Sequence, residues 1–362
     1  MKKVGIITFH FVNNFGGVLQ AYALQRFLRE QCGADSVMIN YRNPFIVLCD
    51  VIRLFPVTGN PREAVVGITT FRKRLSRYAR VKRWCSDRMV LSRKYYTYSA
   101  LRKNPPGCTH YIAGGDQIWN AQITFGFDRA YYLGFAEKDS VKMSYAASFG
   151  EDRLTAFQQK RIKRYFPQFR SVSVRERLSG VQCEKAAGCS VTRLIDPVFL
   201  LNEDDWSRVY KVDRSEKDYI LIYMMQFDER IYKVAEYLKK KTGKRVIEIS
   251  RYGYKRQGVD KLYIDIDPSE FVGFFKGADY VCTNSYHGII FSLIFEKELY
   301  LVKCKRFRER MNNIIELFNI QDPEKSPVLH AAYDKAYARG AIMKEREAAL
   351  KYLKENIPDS YD

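Results

Sequence analysis

Histidine is scarce in this chain, with four in 362 residues: His10, His110, His287 and His330. Neither these nor the cysteines show metal-ligand spacing, so no metal site is expected. The eight cysteines (Cys32, Cys49, Cys85, Cys108, Cys183, Cys189, Cys282 and Cys304) form no C-x-x-C pair. Their scatter argues against a disulfide scaffold and points to reduced thiols in a cytoplasmic protein. No apolar run reaches the roughly 18 to 20 residues of a membrane span. Met1-Lys-Lys-Val-Gly-Ile-Ile-Thr-Phe9 has too short an apolar stretch for a secretion signal and reads as a first strand. Acid is also in deficit: 41 Asp and Glu against 61 Lys and Arg give a formal charge of +20. That excess attracts nucleic acid, anionic lipid or a phosphorylated substrate. Nucleic acid is the weakest of the three, because the charge is spread through an α/β pattern with no nucleic-acid motif.

What is present is ample material for two cores: 46% apolar and 14% aromatic residues. The length suits two domains of about 150 to 200 residues each. Val4 to Phe9 is a buried-strand signal, His10 to Gly17 a loop, Val18 to Gln31 an amphipathic helix and Val37 to Tyr41 a second strand. This β-loop-α-β opening predicts a parallel sheet covered by helices. The alternation restarts after a polar linker at 202–214, with strands at 218–223, 245–250, 280–282 and 299–303 between helices. The expected division is residues 1–201, with a basic insertion at about 45–105, then 215–335, then a last helix (336–362) packing back across both halves. The fold class is therefore α/β, two Rossmann-like domains facing a cleft at the carboxyl ends of their strands.

Between Arg72 and Arg83 there are seven cations and no acid, interleaved with Leu75, Tyr78, Ala79 and Val81 and closed by Trp84. Such a helix suits a peripheral position on an anionic membrane surface, and equally a solvated helix with its apolar side on the domain.

Polar residues gather where strands end. They are Asn14, Gly16 and Gly17; then Gly114, Gly115, Asp116, Gln117 and Asn120; then Ser148; then Arg175 and Glu176; and Ser285, His287 and Gly288 in the second half. Each group suits a turn or cap by itself. Five groups at the same relative position point to a shared site. Gly16-Gly17 falls short of a full G-x-G-x-x-G and is weak evidence for a nucleotide. His287 ends a strand and precedes an apolar helix, where backbone N–H groups attract an anion and a histidine can move protons.

Ile112-Ala-Gly-Gly-Asp-Gln-Ile-Trp-Asn120 resembles a G-[SG]-D-Q-x-W-N block. Tyr131-Tyr-Leu-Gly-Phe135 and Met143-Ser-Tyr-Ala-Ala-Ser-Phe-Gly150 follow at the matching spacing. Ser173-Val-Arg-Glu176, Ile195-Asp-Pro-Val-Phe-Leu-Leu201 and Thr283-Asn-Ser-Tyr-His-Gly288, the last with its S-[FY]-H-G signature, complete the order. From about Lys3 to Phe318 the chain resembles the polysaccharide pyruvyl transferase family. Gly115 stands where serine is more frequent, and residues 45–105 carry no matching block.

The resemblance implies a GT-B-like fold. It also implies transfer of a pyruvyl group from phosphoenolpyruvate to a sugar as a ketal, with no cofactor beyond that donor. His287 is then the candidate general acid/base, and Arg175 the candidate clamp for phosphate or carboxylate, set against a plain salt bridge. Asp116 and Gln117 would orient sugar hydroxyls, and Asn14, Gly16 and Gly17 would line the acceptor side. Lys303, Lys305, Arg306 and Arg310 would add phosphate contacts or form a solvated basic turn. Trp119 fits the core better than a sugar platform. A polyprenyl-diphosphate-linked sugar is the expected acceptor, met at the inner face of the membrane. The competing function is a GT-B nucleotide-sugar glycosyltransferase, since fold does not fix chemistry.

Overall fold

The computed structural model describes residues 2–55, 61–150, 153–210, 217–251, 253–303 and 308–357. They form two compact units. Unit 1 holds Met1–Asp50, Cys85–Leu201 and Ile342–Asp362; unit 2 holds Val51–Trp84 and Asn202–Ala341.

In chain order the first half contains β1 (Lys3–Ile7), α1 (Phe15–Gln31), β2 (Asp35–Met38), α2 (Pro44–Ile52), α3 (Pro61–Thr69), α4 (Phe71–Arg88) and α5 (Tyr98–Lys103). Then come β3 (His110–Gly114), β4 (Val141–Tyr145), α6 (Ala156–Tyr165), β5 (Val172–Val174), α7 (Arg177–Ala187) and β6 (Val191–Arg193). The unit 1 strands pair in parallel in the order β2-β1-β3-β4, with β5-β6 a second parallel pair. Parallel bridges Met143–Ser171 and Ala147–Val174 tie that pair to β4. One core runs beneath, from Ile7 and Phe9 through Trp119, Tyr131 and Phe149 to Phe166 and Val174.

The second half contains α8 (Glu203–Ser207), β7 (Tyr219–Tyr223), α9 (Glu229–Thr242), β8 (Val246–Ile249), β9 (Lys261–Tyr263), α10 (Pro268–Gly277), β10 (Ala278–Thr283), α11 (Tyr286–Ile294), β11 (Glu298–Leu301), α12 (Arg308–Leu317) and α13 (Lys335–Asn356). Its five strands are parallel in the order β11-β10-β7-β8-β9. Every residue of β7, Tyr-Ile-Leu-Ile-Tyr, is buried. A parallel strand covered on both faces needs continuous rather than alternating apolarity. Helix α9 is one of the covers. Ile231, Val234, Ala235 and Leu238 recur at helical spacing on its buried face, Asp228 caps its start, and Gly243 ends it at φ 70°.

The basic segment does not stay with the first half. Val51–Trp84 clusters with unit 2. In α4, Arg74 and Arg77 are buried, and Arg80 pairs with Asp267 and Glu270 at 3.2 and 2.6 Å. Trp84 Nε1 donates to Ser269 Oγ at 2.7 Å. These partners all belong to unit 2, which corrects the expectation of an insertion in the first domain. Helix α13 begins in unit 2 and continues in unit 1 from Ile342, where the Tyr352 hydroxyl donates to the Ser144 carbonyl at 2.9 Å.

One strand residue departs from the apolar rule. Glu248, in β8, is buried, and the Tyr232 hydroxyl lies 3.2 Å from each of its carboxylate oxygens. Burial pushes its carboxyl from 4.5 up to about 7, against the opposing pull of Tyr232, Ser250 and Arg256. The folded state thus holds this proton while the unfolded chain releases it, so the group's stabilising share is present below pH 4.5 and lost as pH rises through about 7. Glu248→Gln removes that dependence. The melting temperature of the variant relative to wild type should rise by about 2 to 5 °C between pH 4.5 and pH 8. A difference flat across that range, in melts at several pH values, would mean that Glu248 ionises normally.

Candidate functional site

In unit 1 the first strand, β1, lies inside the sheet. The chain adds β2 on one side of it and β3 on the other. A parallel sheet opens a crevice at such a reversal, outside the carboxyl ends of the two strands. Here those ends carry Asn14-Phe15-Gly16-Gly17 after β1 and Gly115 to Asn120 after β3.

Asn14 caps α1, its Oδ1 accepting from Gly16 N–H at 3.1 Å. Gly17 lies in the first turn, where a Cβ would approach Asp116 Oδ2 to 3.0 Å. The absent side chain is what lets this helix end meet the β3 loop. Gly114 and Gly115 have φ of 155° and 89°. A Cβ at Gly114 would run into the Tyr145 carbonyl, and one at Gly115 into Gln20 Oε1. The serine found more often at 115 would therefore have to displace Gln20.

The loop holds itself. Asp116 Oδ1 accepts from Gln117 N–H at 2.8 Å, and Gln117 Oε1 accepts from Asn120 Nδ2 at 2.7 Å. The Asp116 carbonyl accepts from Ser148 N–H at 3.0 Å. The Ser148 hydroxyl donates to Glu176 Oε1 at 2.6 Å and accepts from Gly150 N–H at 3.0 Å. Asn14, Gly16, Gly17, Gly114, Gly115, Asp116, Gln117, Asn120 and Ser148 thus occupy one region of unit 1.

Arg175 follows β5 and is buried. It pairs with the fully buried Asp196 at 2.9 Å, and its guanidinium also donates to the Gly115 carbonyl. The plain salt bridge weighed for this residue is therefore present, with Asp196 as the acid, and Arg175 fixes the backbone of the β3 loop. Trp119 is core, its indole N–H donating to the Tyr131 carbonyl at 2.9 Å.

Unit 2 repeats the arrangement. Its first strand, β7, lies between β10 and β8, so the reversal falls between β7 and β10. Asn284, just past β10, spans it. Its Oδ1 accepts from Met225 N–H at 2.9 Å, and its Nδ2 donates to the Gln226 carbonyl at 2.7 Å. Ser285 caps α11, accepting from Gly288 N–H at 3.3 Å. The helix starts at Tyr286, so His287 sits inside its first turn rather than in the turn before it. A Cβ at Gly288 would collide with Thr283 Oγ1, which already donates to the Tyr223 carbonyl at 2.6 Å and accepts from Ser285 N–H at 3.0 Å. Glycine is what lets the helix start this close to the strand.

The Tyr286 and His287 rings stand edge to face, 5.4 Å apart. Above the Tyr286 ring, at 4.4 Å, lies the guanidinium of Arg310, from the first turn of α12. Arg310 thus joins His287, Ser285 and Gly288, as its position after β11 suggested. Lys303 pairs with Asp322 at 2.8 Å. Lys305 and Arg306 lie outside the described residues. Among the described residues no group of side chains could hold a metal ion.

Two side chains escaped the sequence reading. Gln20 is fully buried and donates to Thr8 Oγ1 at 3.0 Å and the Gly17 carbonyl at 2.8 Å. Its Oε1 has no hydrogen-bond partner among the described residues. A polar residue on the apolar face of α1, one turn after Gly16-Gly17, was the available signal. Asn284 lay inside a recognised motif, but its span from β10 to the β7 loop needs the strand order, which no motif states.

The fold compares with solved sugar-nucleotide enzymes. Staphylococcus aureus MnaA, solved with UDP, aligns at a TM-score of 0.50 with 11% identity, over 98% of this chain and 96% of that one. UDP-GlcNAc 2-epimerase from Neisseria meningitidis aligns at 0.47 with 12% identity, over 97% and 100%. At such identities the likeness concerns the fold alone, which is α/β with two Rossmann-like, GT-B-like units. A search of curated proteins gives no sequence match. The family model for polysaccharide pyruvyl transferases matches residues 14–305, from the cap of α1 past the end of β11, and so takes in the candidate residues of both units that the structure describes: the chain belongs to the polysaccharide pyruvyl transferase family.

Proposed function

We propose that this transferase moves the pyruvyl group of phosphoenolpyruvate onto two hydroxyls of a glycan sugar, forming a ketal, with no further cofactor. The observation that carries the reading is the first turn of α11. It puts an imidazole, a capped helix N-terminus and an arginine stacked on the neighbouring tyrosine in one place. A donor bearing a phosphate and a carboxylate asks for that chemistry.

In the proposed sequence, protonated His287 delivers its proton to C3 of the enol, and C2 becomes electrophilic. One sugar hydroxyl attacks C2 and loses its proton. The C2–O bond to phosphate breaks, and phosphate leaves with the electron pair. The second hydroxyl then attacks C2 and gives up its proton, closing the ketal. The net products are the ketal and inorganic phosphate. Arg310 is assigned to the donor's anionic groups and Lys305 to a supporting contact. Ser285 and Gly288 set the helix end that carries His287. Asp116 and Gln117 are assigned to the sugar hydroxyls, with Asn14, Gly16, Gly17, Asn120 and Ser148 shaping that region. Arg175 acts as a positioning residue through the Gly115 carbonyl, with Asp196 holding its charge. We place the acceptor on a polyprenyl diphosphate, an anionic partner that suits the +20 charge.

The runner-up, sugar transfer from a nucleotide sugar, draws on the fold of the solved neighbours. Thermal melts with each donor separate the two readings. Phosphoenolpyruvate should raise the melting temperature and sugar nucleotides should not; the opposite pattern would replace this reading with glycosyl transfer. Incubation with phosphoenolpyruvate and a panel of lipid-linked or nitrophenyl sugars should then yield the mass of a pyruvyl ketal.

His287→Gln tests the acid. Turnover should fall by at least about 100-fold, while the melting temperature stays near that of wild type. Near-normal turnover in this variant would leave His287 as part of a helix start and move the acid elsewhere.

A further inference from the structure

In unit 1, Phe125 sits in a conformation that its own side chain disfavours. Its φ is 54°, in the left-handed region where a bulky residue is an outlier. Its ring is 56% exposed, so no burial offsets the strain. Outliers of this kind cluster where a ligand is held. The loop that carries it is anchored and leaves Asn120 directly. Thr124 Oγ1 donates to the Asn120 carbonyl at 3.0 Å, and Gly126 N–H to the Ala121 carbonyl at 2.8 Å. Ile123 and Phe127, on either side, pack on the unit 1 core, and Phe125 is turned outward between them.

A second exposed ring meets it. Phe45, in the first turn of α2, is 62% exposed, and its ring centroid lies 6.0 Å from that of Phe125 with the planes 39° apart. Neither ring covers the other. Phe45 is held as firmly as its partner. Its N–H donates to Asn43 Oδ1 at 2.9 Å, while Asn43 Nδ2 and the Tyr41 hydroxyl each donate to Asp128 Oδ2 at 2.8 Å. Further along α2, Asp50 accepts from Asn13 N–H at 2.7 Å, beside Asn14. The rings are thus tied to both loops, after β1 and after β3, to which the sugar is assigned.

A pyranose ring presents a row of polarised C–H groups, which favour the electron-rich face of an aromatic ring. An enzyme of a polysaccharide-modifying family meets chains of such rings, so the neighbour of the reacting sugar also has to be held. With Leu48, 54% exposed one turn on, the patch spans three side chains, far short of the roughly 20 to 30 residues a side of a stable dimer.

We infer that Phe45 and Phe125 form the floor of a glycan subsite, which holds the sugar ring next to the one being modified. This subsite deepens the acceptor half of the proposed reaction and requires only that the acceptor be a glycan, whatever the donor. Labelled full-length protein on an array of mono-, di- and trisaccharides, with no donor present, tests it. Wild type should bind a subset of the di- and trisaccharides. Phe45→Ser and Phe125→Asn should each weaken that binding about three- to tenfold, with any monosaccharide held equally by all three proteins. Asparagine tolerates the left-handed region, so Phe125→Asn should melt at or above the wild-type temperature. No oligosaccharide binding by wild type, binding untouched by both variants, or an equal loss for monosaccharides would overturn the inference. So would a wild-type dimer in sedimentation that the variants disperse, which would give the rings to a second copy of the chain. Ring-dependent glycan binding by a protein that phosphoenolpyruvate does not stabilise would support the subsite and remove the donor reading alone.

Discussion

A parallel sheet that starts from an inner strand must place its next strands on either side of it, and both units obey that constraint. In unit 1 it separates the β1 and β3 ends, and in unit 2 the β7 and β10 ends. Loops leaving such ends lose the ladder that would satisfy their backbone groups. Side chains supply the missing bonds. Asn284 serves Met225 and Gln226, Thr283 serves Tyr223 and Ser285, and Ser148 serves Gly150. The residue types that fill these positions are small and polar, because only those reach their own backbone at short range. Structural need and ligand chemistry therefore draw on the same residues, and a polar strand end is not by itself a site. What separates the two is geometry that structure alone would not require. Gln20 Oε1, buried without a hydrogen-bond partner among the described residues, is such a feature.

The two arginines assigned to anions turn out to differ. Arg175 and Asp196 form an ion pair almost wholly removed from water. Breaking such a pair leaves a buried charge and costs about 3 to 5 kcal/mol. That energy also fixes the Gly115 carbonyl, so the Gly114–Asn120 loop has a rigid anchor independent of any ligand. Lysine cannot replace it, because one ammonium lacks the fork that serves a carboxylate and a carbonyl together. Arg310 has a different setting: its planar face lies on Tyr286, an arrangement that leaves the guanidinium edge as the hydrogen-bonding direction.

Much of this was legible in sequence, for identifiable reasons. Strands such as Tyr219–Tyr223 announce themselves because a doubly covered strand is apolar throughout. The α9 helix is legible because Asp228, the spacing from Ile231 to Leu238 and Gly243 agree with one another. The end of β3 was legible, since Gly114 closes the strand and Gly115 and Asp116 turn away from it. Strand β9, three residues long, was missed, being too short for periodicity to register. His287 was placed one element too early, because a helix start reads as a turn until Ser285 is seen to cap it. The partner of Arg175 lies twenty-one residues downstream, and only tertiary structure brings the two together.

Helix α4 shows most clearly why the charge resisted reading. An amphipathic helix is expected to turn its apolar side inward and its cations outward. Here Arg74 and Arg77 point inward with Val81 and Trp84, while Leu75 is exposed. The inversion is stable because each inward guanidinium finds a carbonyl oxygen: Arg74 donates to Gly67 and Arg77 to Ser250, while the partly exposed Arg80 donates to Asp265. Arginine stays charged when buried, so it must bring such acceptors with it. Ser250 and Asp265 offer theirs because the ladder has stopped after β8 and β9, and Gly67 offers its own from near the end of α3. The cations that looked like a membrane-binding face are thus partly spent on finishing the fold.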